Sequence, residues 1–155
     1  MNASANVSRP NRILVPVDLS ERSEHALAYA GMLAGATGAE LIVMVNINMP
    51  EREVLEELVI SEGVSLDEAA ERTLTELVSR LAPEAPATLV DTRADSPAEA
   101  ILAMADEHHA DMIVIGSHGR GGMRRFLLGS VAEKVARTSE LPVVIVPSHD
   151  EVRHR

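Results

Sequence analysis

Four short apolar runs punctuate the chain, at residues 13–17, 41–45, 112–115 and 143–146. They are rich in valine and isoleucine, and their apolar residues follow one another instead of alternating with polar ones. A strand with one wet face alternates, whereas a strand covered on both faces reads as a continuous run. The four runs therefore predict buried strands, and residues 87–92 are a fifth, weaker candidate. Residues 21–36 repeat apolar positions at helical spacing and stop before Gly38, a plausible helix-ending glycine. Ser65-Leu66-Asp67-Glu68 has the pattern of a capping box and opens a helix to about Leu81. Ser96-Pro97-Ala98-Glu99 joins the same pattern to a proline at the first helical position, predicting a helix to about His108. A last helix runs from Ser130 to Thr138. Residues 49–63 form an acidic, partly helical connection whose ends the sequence does not mark.

Strands alternating with helices imply an α/β fold: a single-domain, open five-stranded parallel sheet with helices on both faces and right-handed crossovers. In such folds a ligand sits beyond the carboxyl ends of the strands, where the strand order reverses. The residues just after Val17, Val45 and Ile115 are the places to look. A length of 155 residues suits one domain. The expected division is a flexible N-terminus over 1–11, a domain over 12–147 and a charged tail over 148–155.

Composition narrows the function. With one Tyr, one Phe and no Trp, the core has to be built from Ala, Val, Ile, Leu and Met. Almost nothing is left on which to stack the bases of a single strand. A formal net charge of −10 argues against general nucleic-acid affinity, which needs a basic surface. There is no cysteine, so thiol catalysis, disulfides and cysteine zinc sites are excluded. No apolar run approaches the ~18 residues that cross a bilayer. The polar first dozen residues do not read as a signal peptide, so the expected location is cytoplasmic.

The informative stretch is residues 116–130, which holds five of the nine glycines and leads from a buried strand into a helix. Glycine lets backbone N–H groups turn toward an anion, and the N-terminus of the following helix adds its own free donors and dipole. Gly116, Ser117, His118, Gly119, Arg120, Gly121, Gly129, Ser130 and Val131 are the candidate residues here. Arg120, Arg124 and Arg125 put positive charge in an otherwise acidic molecule. Gly116 and Gly121 have Walker A spacing, but Gly122-Met123 stands where Lys and Ser/Thr belong. The third glycine of a G-x-G-x-x-G motif is missing as well. The plain alternative is a surface turn whose glycines serve geometry alone, with Ser130 and Glu133 as a capping box.

Gly116-x2-Gly119-x9-Gly129-Ser130 resembles the G-x2-G-x9-G-[S/T] pattern of the ATP-binding branch of the universal stress protein family. Ile13-Leu14-Val15-Pro16-Val17-Asp18, followed by Ser20-Glu21, is similar to that family's first strand and turn. Leu141-Pro142-Val143-Val144-Ile145-Val146-Pro147 is similar to its last strand. The resemblance spans residues 11–147. It implies a Rossmann-like, adenine-nucleotide-binding sheet of order 3-2-1-4-5. ATP, carrying Mg²⁺ or Mn²⁺, would have its phosphates cradled by Gly119, Gly129, Ser130 and the Val131 N–H. Gly116 and Pro16 would lie against the ribose, and Val17, Asp18, Val45 and Asn46 at the strand ends would face sugar and base. Leu19 stands where the family often has Gly or Phe, and Val45-Asn46 where it often has His-Val. The resemblance also implies a homodimer paired through the last strand, whose apolar edge would otherwise be exposed.

Asp18 has two readings, a ligand contact or a helix cap with Glu21. His118 is a phosphate contact or a solvent-facing residue, and His108-His109 suits the end of a helix dipole. Met32, Met44, Met104 and Met112 read as core filling, while Met123 lies in the loop and could cover a nucleotide. Neither a general base nor a nucleophile elbow is evident. The expectation is a nucleotide-dependent regulator with an unidentified protein partner. A slow ATPase or autophosphorylating enzyme using Ser130 or Ser117, and a nucleotide-free dimeric interaction module, are the alternatives.

Overall fold

The computed structural model describes residues 8–118 and 128–147. In chain order these form β1 (Arg12–Val17), α1 (Glu21–Thr37), β2 (Glu40–Asn46), α2 (Met49–Glu62), α3 (Leu66–Leu81), β3 (Ala87–Thr92), α4 (Pro97–Glu107), β4 (Met112–Gly116), α5 (Ser130–Thr138) and β5 (Val143–Val146). The strands make one parallel sheet, as the alternation of elements implied, in the order β3-β2-β1-β4-β5 that the family resemblance implied. Alternate residues of β1 feed opposite faces. Ile13, Val15 and Val17 pack in the cluster covered by α1, α2 and α3, and Leu14 packs in the cluster covered by α4 and α5. Both clusters are aliphatic, which is why the central strands read as unbroken apolar runs. β3 gave a weaker signal because it is an edge strand, with Ala87 and Asp91 exposed.

Residues 49–63 are more ordered than their sequence announced. They form α2, with Pro50 in its first turn and Gly63 ending it in the left-handed conformation at φ 68°. Leu55 buries completely, anchoring an otherwise acidic helix. The Ser65 capping box on α3 forms in both directions: Ser65 Oγ accepts the Glu68 N–H at 3.2 Å, and Glu68 accepts the Ser65 N–H at 2.9 Å. That second bond holds the Glu68 carboxyl below its ordinary value. The Ser96–Glu99 box does not form. Ser96 occupies the N-cap without a side-chain bond, and Glu99 pairs instead with Lys134 of α5 at 2.9 Å. Met44 is buried, as expected, but Met32 is 57% exposed on α1. It stands on the side of the helix opposite the buried arc of Ala26, Leu27, Ala30 and Ala34.

Candidate functional site

A crevice opens in the sheet because its two central strands stop pairing early. β1 pairs with β2 as far as Val17↔Val45, and β4 pairs with β5 as far as Gly116↔Val146. The β1–β4 register ends at Leu14↔Ile113. The Arg12 carbonyl accepts from Asp111 N–H and the Asn11 carbonyl from Glu40 N–H, so even-numbered residues of β1 direct their backbone groups toward β4. The donor due at position 16 is a proline's, which does not exist. With that rung missing, the strands part at the point where the strand order reverses.

The β1–α1 turn forms one wall. Leu19 takes a left-handed conformation at φ 60°. Asp18 Oδ1 accepts from the Ser20 N–H at 3.0 Å and from the Ser20 hydroxyl. Ser23 Oγ accepts the Asp18 N–H at 3.2 Å and donates to the Ser20 carbonyl at 3.0 Å. These bonds fix the half-buried Asp18 carboxylate at the mouth of the crevice. They also settle its role in the helix start: Ser20, not Asp18, is the N-cap of α1.

The opposite wall is the end of β4 and the start of α5. Ser117 is buried. Its N–H donates to the Val146 carbonyl at 2.9 Å, and its carbonyl accepts the Gly129 N–H at 2.7 Å. The backbone of one residue therefore ties together β4, the last residue of β5 and the residue that opens α5. His118 is half-buried, with Nδ1 3.1 Å from Ser117 Oγ. A Cβ at Gly116 would meet the Arg22 carbonyl oxygen at 3.4 Å, an ordinary contact, so packing within the chain does not demand glycine there. Gly129 is the N-cap of α5 and has no side-chain bond to give it. The first N–H groups of a helix have no partner within it, and a glycine N-cap leaves them to other acceptors. The donors concerned include those of Ser130 and Val131. Ser130 is exposed on the first turn, and the Ser130–Glu133 box does not form, since Gly129 and not Ser130 is the N-cap; Glu133 pairs with Arg137. Gly119, Arg120 and Gly121 lie outside the described residues, as do Arg124 and Arg125.

The sequence-derived candidates divide accordingly. Pro16 and Asp18 at the end of β1, Gly116, Ser117 and His118 at the end of β4, and Gly129, Ser130 and Val131 at the start of α5 flank the point where β1 and β4 part. Val17 and Val45 have core side chains and offer only backbone to it. Asn46, at the end of β2, turns its side chain to the β3–α4 loop, donating to the Ala94 carbonyl at 3.0 Å and accepting the Ala94 N–H at 2.9 Å. Sequence reasoning missed Ser23, whose bonds to Asp18 and Ser20 depend on the shape of the β1–α1 turn, and Ala94, whose role depends on long-range placement. Among the described residues no three His, Asp or Glu side chains converge as a metal site, and no helix is long and apolar enough to cross a membrane.

The family model for universal stress proteins matches residues 10–147. A universal stress protein of Methanocaldococcus jannaschii is 30% identical over 87% of this chain and 93% of its own. The solved structure of that protein superposes with a TM-score of 0.73 at 28% identity, covering 91% of this chain and 98% of its own. A universal stress protein solved in complex with cAMP has a TM-score of 0.65 at 26% identity, over 90% and 98% of the two chains. One from Archaeoglobus fulgidus, in complex with dAMP, has a TM-score of 0.61 at 25% identity, over 89% and 98%.

Proposed function

This chain belongs to the universal stress protein family, and on that premise we propose that it is an ATP-binding regulator holding the nucleotide in the crevice between β1 and β4. The observation that carries the reading is the glycine-capped start of α5, which leaves uncapped donors beside the point where β1 and β4 part. The cAMP and dAMP held by the two related proteins support an adenine nucleotide as the ligand class. The triphosphate lies against Gly119, Gly129, Ser130 and the Val131 N–H, bringing its own Mg²⁺ or Mn²⁺. The ribose lies by Pro16, Asp18 and Gly116, and the base extends over the ends of β1 and β2. Occupancy reaches the surface through Ser117, whose backbone N–H and carbonyl bond Val146 and Gly129. The protein acts in the cytoplasm as a homodimer joined along β5, and its output is an altered surface for a protein partner rather than a chemical product.

Isothermal calorimetry with MgATP tests this. Binding in the micromolar to low-millimolar range is expected, and Gly119→Val abolishes it without changing the circular dichroism spectrum. No heat of binding at millimolar ATP overturns the proposal.

A further inference from the structure

Asn46 carries two hydrogen bonds that the nucleotide reading does not use. It is half-buried at the last position of β2, paired in register with Thr92, and its amide grips the N–H and C=O of Ala94, two residues further along. The side chain thus continues the β2–β3 ladder past its last backbone rung, where the Ile47 N–H donates to the Thr92 carbonyl at 2.7 Å. The neighbouring Arg93 is held from the other side by ion pairs to Asp67 of α3 and to Asp91. Its guanidinium is shifted above its ordinary pKa mainly by the hydrogen bond to Asp67. The start of the β3–α4 loop is therefore clamped between β2 and α3, at the carboxyl end of the sheet.

An amide has one edge on which a donor and an acceptor stand side by side, and it is this edge that reads a base in a bidentate pair. In Asn46 that edge faces Ala94. The remaining N–H and the remaining oxygen lone pair point apart, so they cannot together read a base. β2 lies two strand spacings from β4, roughly 10 Å, which is the distance a ribose and base reach from phosphates held beside α5. The next thing such a base meets is the loop that Asn46 holds.

We propose that Asn46 is a positioning residue for the base end of the crevice: its amide fixes the Arg93–Ala94 backbone as the wall that bounds the purine. The proposal rests on the nucleotide reading given above. Base preference then comes from the shape of that wall and its backbone groups, and phosphate binding is independent of it.

The test compares ATP, GTP and inorganic tripolyphosphate on the full chain and on two variants. Asn46→Ala removes both bonds. Asn46→Asp keeps the shape and the acceptor but sets a carboxylate oxygen against the Ala94 carbonyl. Both variants should bind ATP about tenfold more weakly, lose part of the preference for ATP over GTP, and bind tripolyphosphate as the unaltered chain does. Amide exchange at Ala94 should speed up in both, with or without nucleotide. An equal loss for ATP and tripolyphosphate, or an unchanged ATP-to-GTP ratio, overturns the proposal while the nucleotide site stands. If the unaltered chain binds neither ATP nor tripolyphosphate, the nucleotide reading fails and the proposal falls with it. A variant that unfolds shows a global role for Asn46 and counts against the proposal if the second variant unfolds as well.

Discussion

Leu19 is the residue where local backbone preference and the needs of the site conflict. Its φ of 60° places an ordinary side chain in a region that costs about 1–2 kcal/mol outside glycine. The side chain offsets part of that by packing on the core formed with α1. The conformation is what turns the chain so that Asp18 and Ser20 can bond each other. A residue branched at Cβ tolerates this region worse than leucine does. Leu19→Val should therefore lower the urea midpoint by an amount equal to about 1 kcal/mol or more, although it removes only one methylene. An unchanged midpoint would show that the turn relaxes freely. Nothing in a leucine announces a left-handed backbone, which is why Asp18 and Glu21 looked from the sequence like a cap for α1. The glycine pattern at 116–130 was legible for the opposite reason: its chemistry is backbone chemistry, and glycine advertises it. Asn46 was named from its position at a strand end, but its use as a clamp depends on Ala94, 48 residues away, and no local pattern carries that.

Among the elements, α1 and α3 show how closely the outer layer is built. A Cβ on Gly31 would meet the Cβ of Ala82 at 2.6 Å and its Cα at 3.0 Å, so the end of α3 lies directly against the α1 backbone. The Arg80–Glu24 ion pair, 3.0 Å apart, joins the same two helices about two turns of α1 before Gly31. Gly31→Val must push the helices apart and should destabilise by roughly 1–3 kcal/mol, read as a fall in melting temperature, whereas Gly35→Ala, which meets nothing within 4 Å, should be neutral or slightly stabilising. Equal effects at the two glycines would contradict the packing described. The apolar runs of β1, β2, β4 and β5 and the helical patterns of α1, α3, α4 and α5 were legible. α2 was not, because its buried face rests chiefly on Leu55 and its partner is another helix, so the apolar stripe is thin. The Ser96 capping box failed because its glutamate found a partner on α5, a tertiary competitor that a four-residue pattern cannot reveal.

At the scale of the whole molecule, β5 lies at the edge of the sheet and has a strand neighbour on one side only among the described residues. The Pro142 and Val146 carbonyls accept from Ile113 and Ser117 N–H groups, so the odd-numbered residues of β5 turn their backbone donors outward. If two copies pair there, Ile145→Pro removes an outward donor while sparing the rungs to β4. Light scattering should report a dimer for the unaltered chain and a monomer for Ile145→Pro. A monomer at micromolar concentration before any substitution would refute pairing along this edge. Each copy brings a net charge of −10, so added salt should tighten the dimer by screening their repulsion. The parallel sheet was legible because strands alternate with helices, whereas its strand order was implied by the family resemblance. The parting of β1 from β4 was not, since it depends on which side of its strand Pro16 faces.

The near absence of aromatic residues has a practical consequence. With no tryptophan in the chain, Tyr29 is its only tyrosine and so its only useful intrinsic fluorophore. It stands 40% exposed on α1, about half a helical turn around from Gly31 and thus on the flank away from α3, toward the side of the sheet that carries β4 and β5. Its emission offers a label-free signal for events along that flank, recorded against an otherwise dark protein.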